Sequence, residues 1–187
     1  MSSSPITVGS IGLPIGSDAI DFKLKGVDGK SYDLNSFAGK KALVVVFSCN
    51  HCPYAQAYEQ RIVQLQSDYH RKGAVFVAIN SNDDTDYPED SFENMIKRSK
   101  ERGFNFPYVR DESQDVARKY GAICTPHVFA FDNHRVLRYK GRIDDNWRNP
   151  SEVKTKDLRN ALDAILEDKR PQVQETRPFG CSIKWKH

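Results

Sequence analysis

Cys49-Asn50-His51-Cys52 stands between an unbroken apolar run, Ala42-Leu43-Val44-Val45-Val46-Phe47, and a segment opening at Pro53. In that segment Tyr54, Tyr58, Ile62, Leu65 and Tyr69 recur every three or four positions. The apolar run reads as a buried strand and the recurrence as one apolar face of a helix. A C-x-x-C pair at such a strand-to-helix junction constrains both fold and chemistry. The second sulfur follows the first closely enough to close an intramolecular disulfide. The start of the helix offers free N–H groups and the positive end of its dipole to a thiolate. On this reading Cys49 is the nucleophile, the more exposed and more acidic thiol, with Cys52 shielded behind it.

The 187 residues carry 28 Lys+Arg against 25 Asp+Glu, a net charge of +3 that is too weak and too interspersed for a nucleic-acid footprint. No apolar stretch approaches the length of a membrane span. Met1-Ser2-Ser3-Ser4-Pro5 lacks the basic and apolar regions of a secretory leader. Four cysteines are too few to scaffold a secreted protein of this length. The expectation is a cytoplasmic protein with neither nucleic-acid nor membrane partners.

The remaining elements alternate. Residues 1–20, rich in Gly, Ser and Pro, read as an arm laid over the domain. Asp28-Gly29 marks a hairpin turn between Phe22-Lys23-Leu24 and Ser31-Tyr32-Asp33-Leu34. Val75 to Ile79 is a second buried strand, Asn82 to Asp90 an acidic loop, and Ser91 to Arg102 a helix. Pro107-Tyr108-Val109 reads as a strand and Asp115 to Tyr120 as a short helix. Val128 to Phe131 and Val136 to Tyr139 form a hairpin. Asn149-Pro150-Ser151-Glu152 carries the residues of a helix start. The order predicts an α/β domain over residues 21–168: a central mixed β-sheet flanked by helices, extended by an N-terminal β-hairpin. Residues 169–187 carry no period, yet Phe179, Ile183 and Trp185 are too apolar for a solvated end, so this tail is expected to dock.

The strand–CxxC–helix unit, followed at a distance by Cys124-Thr125-Pro126 before a hairpin, resembles thioredoxin-like proteins. Ile15 to Phe22, Asp28-Gly29-Lys30 and Phe37-Ala38-Gly39-Lys40 are similar to the redoxin branch, which includes the alkyl hydroperoxide reductase/thiol-specific antioxidant proteins. The resemblance implies a thioredoxin-like fold and a thiol–disulfide oxidoreductase that needs no bound cofactor or metal. It implies protein or small-molecule disulfides and a thiol reductant as partners. It further implies a cis Thr125–Pro126 bond, with the Thr125 backbone offered to a substrate segment and Pro126 lying against the sulfurs. Asn50, His51 and Pro53 would support the pair, His51 by donating toward the Cys49 thiolate.

Several positions depart from the thioredoxin pattern. Leu43 stands where thioredoxins bury an acid, and Ala55 where related cytochrome-maturation proteins carry a glutamate, so no carboxylate is evident beside the thiols. Glu59, on the same helix, reads as a solvated charge. Peroxiredoxins align their peroxidatic Cys-Pro with Cys52-Pro53, but Cys49, Val45 and Pro126 replace the residues that polarise a peroxide. A thiol peroxidase is therefore an alternative, as is a non-catalytic module that docks peptides in the proline groove. Cys124 is expected to face away from the site as a small buried hydrophobe, with a redox bridge to Cys181 as the alternative. Cys181 becomes a third redox thiol only if the tail brings it to the pair; otherwise the tail is a packing strap. His127 could lie near the site but reads as a core or edge histidine.

Overall fold

The computed structural model describes residues 10–187. The first part of the expected arm, residues 1–9, lies outside the described residues. Strands are β1 (Leu24–Gly26), β2 (Ser31–Tyr32), β3 (Ala42–Phe47), β4 (Ala74–Asn80), β5 (Tyr108–Arg110), β6 (Cys124–Thr125), β7 (His127–Phe131), β8 (Leu137–Gly141) and β9 (Cys181–Ser182). Helices are α1 (Pro53–His70), α2 (Phe92–Arg102), α3 (Asp115–Tyr120) and α4 (Asp157–Leu166). Seven strands form one sheet in the order β2-β1-β5-β4-β3-β7-β8, and β6 pairs with β9 in a separate ribbon. The β3/β4 and β4/β5 pairs are parallel; β7, β8 and the β1–β2 hairpin add antiparallel strands at either side. This is the mixed sheet flanked by helices that the sequence predicts.

β3 is central because it can be buried on both faces. Its six residues are fully excluded from solvent. Alternate side chains point to opposite faces of a strand. Leu43, Val45 and Phe47 therefore pack with α3 and the arm residues Leu13, Ile15 and Ile20. Val44 and Val46 join α1, α2 and α4 through Tyr58, Ile62, Met95 and Leu162. Each such fully buried side chain contributes roughly 1.5–3 kcal/mol. Among the described residues, no helix is long and apolar enough to cross a membrane.

One local expectation is corrected. Asn149 caps only a 3-10 turn over Pro150–Glu152, its side chain accepting from the Ser151 amide. Val153 then turns extended, and Asp145 holds the next stretch by accepting from the Lys154 amide (2.9 Å). The helix begins afresh at Asp157. The tail, which shows no period, contains β9 and follows the domain closely. Its Gln174–Thr176 stretch bonds to the edge of β8, with Lys140 N–H donating to Gln174 O and Thr176 N–H to Lys140 O, both at 3.0 Å. Lys140 itself is 1% exposed. Its Nζ donates to Ser10 Oγ (2.6 Å) and Leu13 O (2.9 Å) and lies 3.6 Å from Glu175, joining arm and tail beneath the surface. Phe179 and Ile183 pack inward, whereas Trp185 stays exposed with Arg118 over its ring.

His127 proves to be a core residue with no exposure. Its Nδ1 accepts from the Ile123 amide (3.4 Å) and its Nε2 has no partner. Burial, and secondarily Lys140, push its pKa down to about 3 from 6.5. The unfolded chain thus takes up a proton near pH 6.5 that the folded chain refuses until about 3. Stability from this group is fully present above the upper value and is lost as pH falls through the window, by on the order of 5 kcal/mol in total. Urea midpoints at pH 7 and pH 4 should show a smaller acid-induced drop for His127→Phe than for the unaltered chain.

Candidate active site

β3 ends in the sheet centre and delivers Ser48 to Cys52 as a short buried turn in which only His51 reaches the surface. Pro53 occupies the first position of α1, where a missing N–H costs nothing, and Cys52 is the N-cap. The Thr125–Pro126 peptide bond is cis. Thr125 is shared by both sulfurs: Cys49 Sγ lies 3.2 Å from its Oγ1, and the Cys52 thiol faces its carbonyl oxygen at 3.4 Å. All four cysteines are free thiols.

Neither thiol is exposed; Cys49 is 2% and Cys52 0% accessible. The expected acidity is reversed. Cys52, not Cys49, caps α1, and the Cys49 thiol donates to it. That donation is the largest cause holding Cys52 far below an ordinary thiol, aided by the Cys181 thiol and the Ala55 amide against the cost of burial. Cys49 is pushed up, first by its bond to Cys52, then by burial and by the nearby Asp90 carboxylate.

Asp90 is the residue that the sequence reading misses. It ends a 3-10 turn over Pro88–Asp90 and is wholly buried. Its Oδ1 accepts from the Asn50 amide (2.6 Å) and Asn80 Nδ2 (3.4 Å); its Oδ2 accepts from Asn82 Nδ2 (2.8 Å) and His51 Nδ1. The expected donation of His51 to Cys49 therefore gives way to a bond with Asp90, and the ring stacks on Tyr87 with centroids 5.5 Å apart. Asn50 is tied on every side, its amide group donating to Glu89 O and accepting from Tyr108 OH, its carbonyl accepting from Gln56 (each 2.8 Å). Cys49, His51 and Asp90 bring potential ligand atoms within 4.8 Å of one another. A cation there would have to displace the donors already on Asp90. Glu59, expected in solvent, is 4% exposed and paired with Arg98 and Arg102 of α2.

The other two cysteines separate. Cys124 is buried in β6 with its thiol toward Pro126 O (3.8 Å), and burial raises its pKa to about 12. Cys181 packs against Cys49, Cys52 and Ala55. The Thr125 backbone, expected to be open to a substrate segment, is paired with it: β6 and β9 are antiparallel with Thr125 opposite Cys181.

The family model described as Redoxin matches residues 14–162. The chain belongs to the Redoxin family. Among relatives of this redoxin, thiol-disulfide oxidoreductase ResA of Halalkalibacterium halodurans is 26% identical over 119 residues, 64% of this chain and 63% of that protein. The match thus spans somewhat less than two thirds of the curated relative. The crystal structure of an uncharacterized conserved protein from Geobacillus kaustophilus is 44% identical, with a TM-score of 0.88 over 92% of this chain and 93% of the other. A Chlorobium tepidum structure assigned as a thiol:disulfide interchange protein, DsbE, is 22% identical with a TM-score of 0.67, covering 82% and 99% of the two chains. It shares the thioredoxin-like fold of this redoxin.

Two outcomes follow from the site. Asp90→Ala would strand the buried Asn50 amide and Asn82 Nδ2 and free His51, and should lower the unfolding free energy by about 3 kcal/mol, read from denaturant midpoints. Thiolate absorbance in the ultraviolet should persist below neutral pH in the reduced protein and disappear in Cys52→Ser, while a Cys49→Ser variant retains part of it. Absorbance that instead vanishes only with Cys49 would reverse the charge assignment.

Proposed function

We propose that this redoxin is a thiol–disulfide oxidoreductase whose redox couple is Cys49–Cys52. The observation that supports this most directly is the placement of both sulfurs against the one residue Thr125, side by side at the start of a helix. The likeness to a named oxidoreductase agrees with it. The reaction needs no cofactor. The Cys52 thiolate attacks one sulfur of a substrate disulfide; a mixed disulfide forms and the other substrate sulfur leaves as a thiolate. Cys49, losing its proton to that leaving group, then attacks Cys52. The Cys49–Cys52 bond forms and the second substrate thiolate departs. A thiol reductant restores the pair by the reverse chemistry. Its partners are accordingly protein or small-molecule disulfides and a reducing thiol; four cysteines, too few to scaffold a secreted protein of this length, support a cytoplasmic place for it.

A thiol peroxidase activity is a second reading, and the acidity of Cys52, directly followed by Pro53, favours it. In that reaction the Cys52 thiolate takes a peroxide oxygen as a sulfenic acid, releasing an alcohol or water, and Cys49 closes the disulfide with loss of water.

Insulin reduction driven by dithiothreitol decides the main reading. The unaltered protein should accelerate it well beyond the reductant alone, and Cys49→Ser or Cys52→Ser should lose at least tenfold of that rate, equivalent to 1.4 kcal/mol or more in the barrier. A rate no greater than that of the reductant would overturn the oxidoreductase assignment. Peroxide consumption under the same conditions measures the second.

A further inference from the structure

The tail does not merely lie near the thiols; it occupies the backbone of the residue they share. Cys181 stands opposite Thr125 in an antiparallel pair. Gly180 sits so close that a Cβ there would come within 2.0 Å of Thr125 O, so only glycine permits this approach. The strand is anchored on both sides of Cys181. Before it, Phe179 packs against Tyr54 and Tyr58 of α1, with ring centroids 6.3 and 6.4 Å apart. After it, Ile183 is buried and its amide donates to Ile123 O (3.3 Å). Lys184 follows, its amide donating to Asn82 Oδ1 (2.9 Å) and its carbonyl accepting from Asp83 N–H and Gln114 Nε2 (both 2.8 Å). Asn82 is the residue that also holds Asp90. A cysteine clamped in this way is presented to the site as a bound disulfide substrate would present its own sulfur.

We propose that Cys181 is a third redox thiol of this protein, an internal exchange partner that takes Cys52 out of the Cys49–Cys52 disulfide. The proposal rests on the oxidoreductase reading and extends it. In the step, the Cys181 thiolate attacks Cys52 Sγ. The Cys52–Cys181 bond forms and the Cys49–Cys52 bond breaks. The electron pair leaves on Cys49, which takes up the proton that Cys181 has given up. One disulfide is exchanged for another, so no oxidant is consumed.

The direction of attack follows from placement. Cys181 packs against the pair and acts on Cys52, whereas Cys49 is engaged by Thr125 Oγ1 and stands near Asp90. Electrostatics gate the step. In the reduced site burial first, then Cys52, raise the Cys181 pKa to about 11, while Lys184 works to lower it. When Cys52 is held in a disulfide its charge is gone, and burial alone still opposes Lys184. Cys181 thus becomes a better nucleophile when its target exists. The exchange leaves Cys49 as a free thiol.

Peptide mapping without reduction tests this. The full-length reduced protein is oxidised with diamide, whose N=N bond accepts the two electrons and two protons of one thiol pair, then acid-quenched and alkylated. The unaltered protein should yield a Cys49–Cys52 peptide together with a Cys52–Cys181 cross-link. Cys49→Ser should yield Cys52–Cys181 as its main disulfide, with Cys124 alkylated. Gly180→Ala keeps every thiol but displaces the strand, and should lower the Cys52–Cys181 fraction severalfold. Absence of that cross-link from both the unaltered protein and Cys49→Ser, with Cys181 recovered alkylated, would overturn the proposal. So would an undiminished cross-link in Gly180→Ala. A Cys52–Cys181 cross-link without any Cys49–Cys52 peptide would instead count against the parent couple, so the two failures read differently.

Discussion

The backbone and hydroxyl of Thr125 are the point on which the site depends. The hydroxyl faces Cys49, the carbonyl oxygen faces Cys52 and lies against Gly180, and the strand position pairs with Cys181. Three segments far apart in the chain meet there because each strand that delivers them is fixed elsewhere. β3 brings the cysteine turn from the sheet centre; β7, antiparallel to β3 with Phe47 opposite His127, sets Pro126 and Thr125 beside it. Burial of β3 on both faces is therefore what gives the sulfurs a defined position.

A second set of constraints comes from the Asp90 carboxylate. Burying an isolated charge is costly unless hydrogen bonds replace water. Here donors from Asn50, His51, Asn80 and Asn82 converge on its two oxygens. The same bonds fix the conformation of the cysteine turn. They also set a negative charge near Cys49, which adds to its bond with Cys52 and to burial in raising that thiol above its partner.

Periodicity made the main elements legible. β3 and β4 read as unbroken apolar runs, and the face of α1 as a recurrence of Tyr, Ile and Leu; such patterns report burial directly. The Thr-Pro before the hairpin was legible through its likeness to a known family. Asp90 was not, because in an acidic stretch nothing local tells a solvated carboxylate from the one that folds inward. Glu59 was misread for a related reason: its partners, Arg98 and Arg102, come from another helix. The apolar residues of the tail announced docking but not its address, since a two-residue strand has no period to read. Its place is set by a glycine, Gly180, whose value lies in having no side chain.

The tail also lies along the outer margin of the sheet, where Gln174 and Thr176 satisfy both backbone groups of Lys140 in β8. A bare strand margin is a template on which another chain can extend the sheet. One continuous stretch therefore both shields that margin and reaches the sulfurs. Any event that peels it away as a whole would bare unpaired strand groups at the same moment as the thiols.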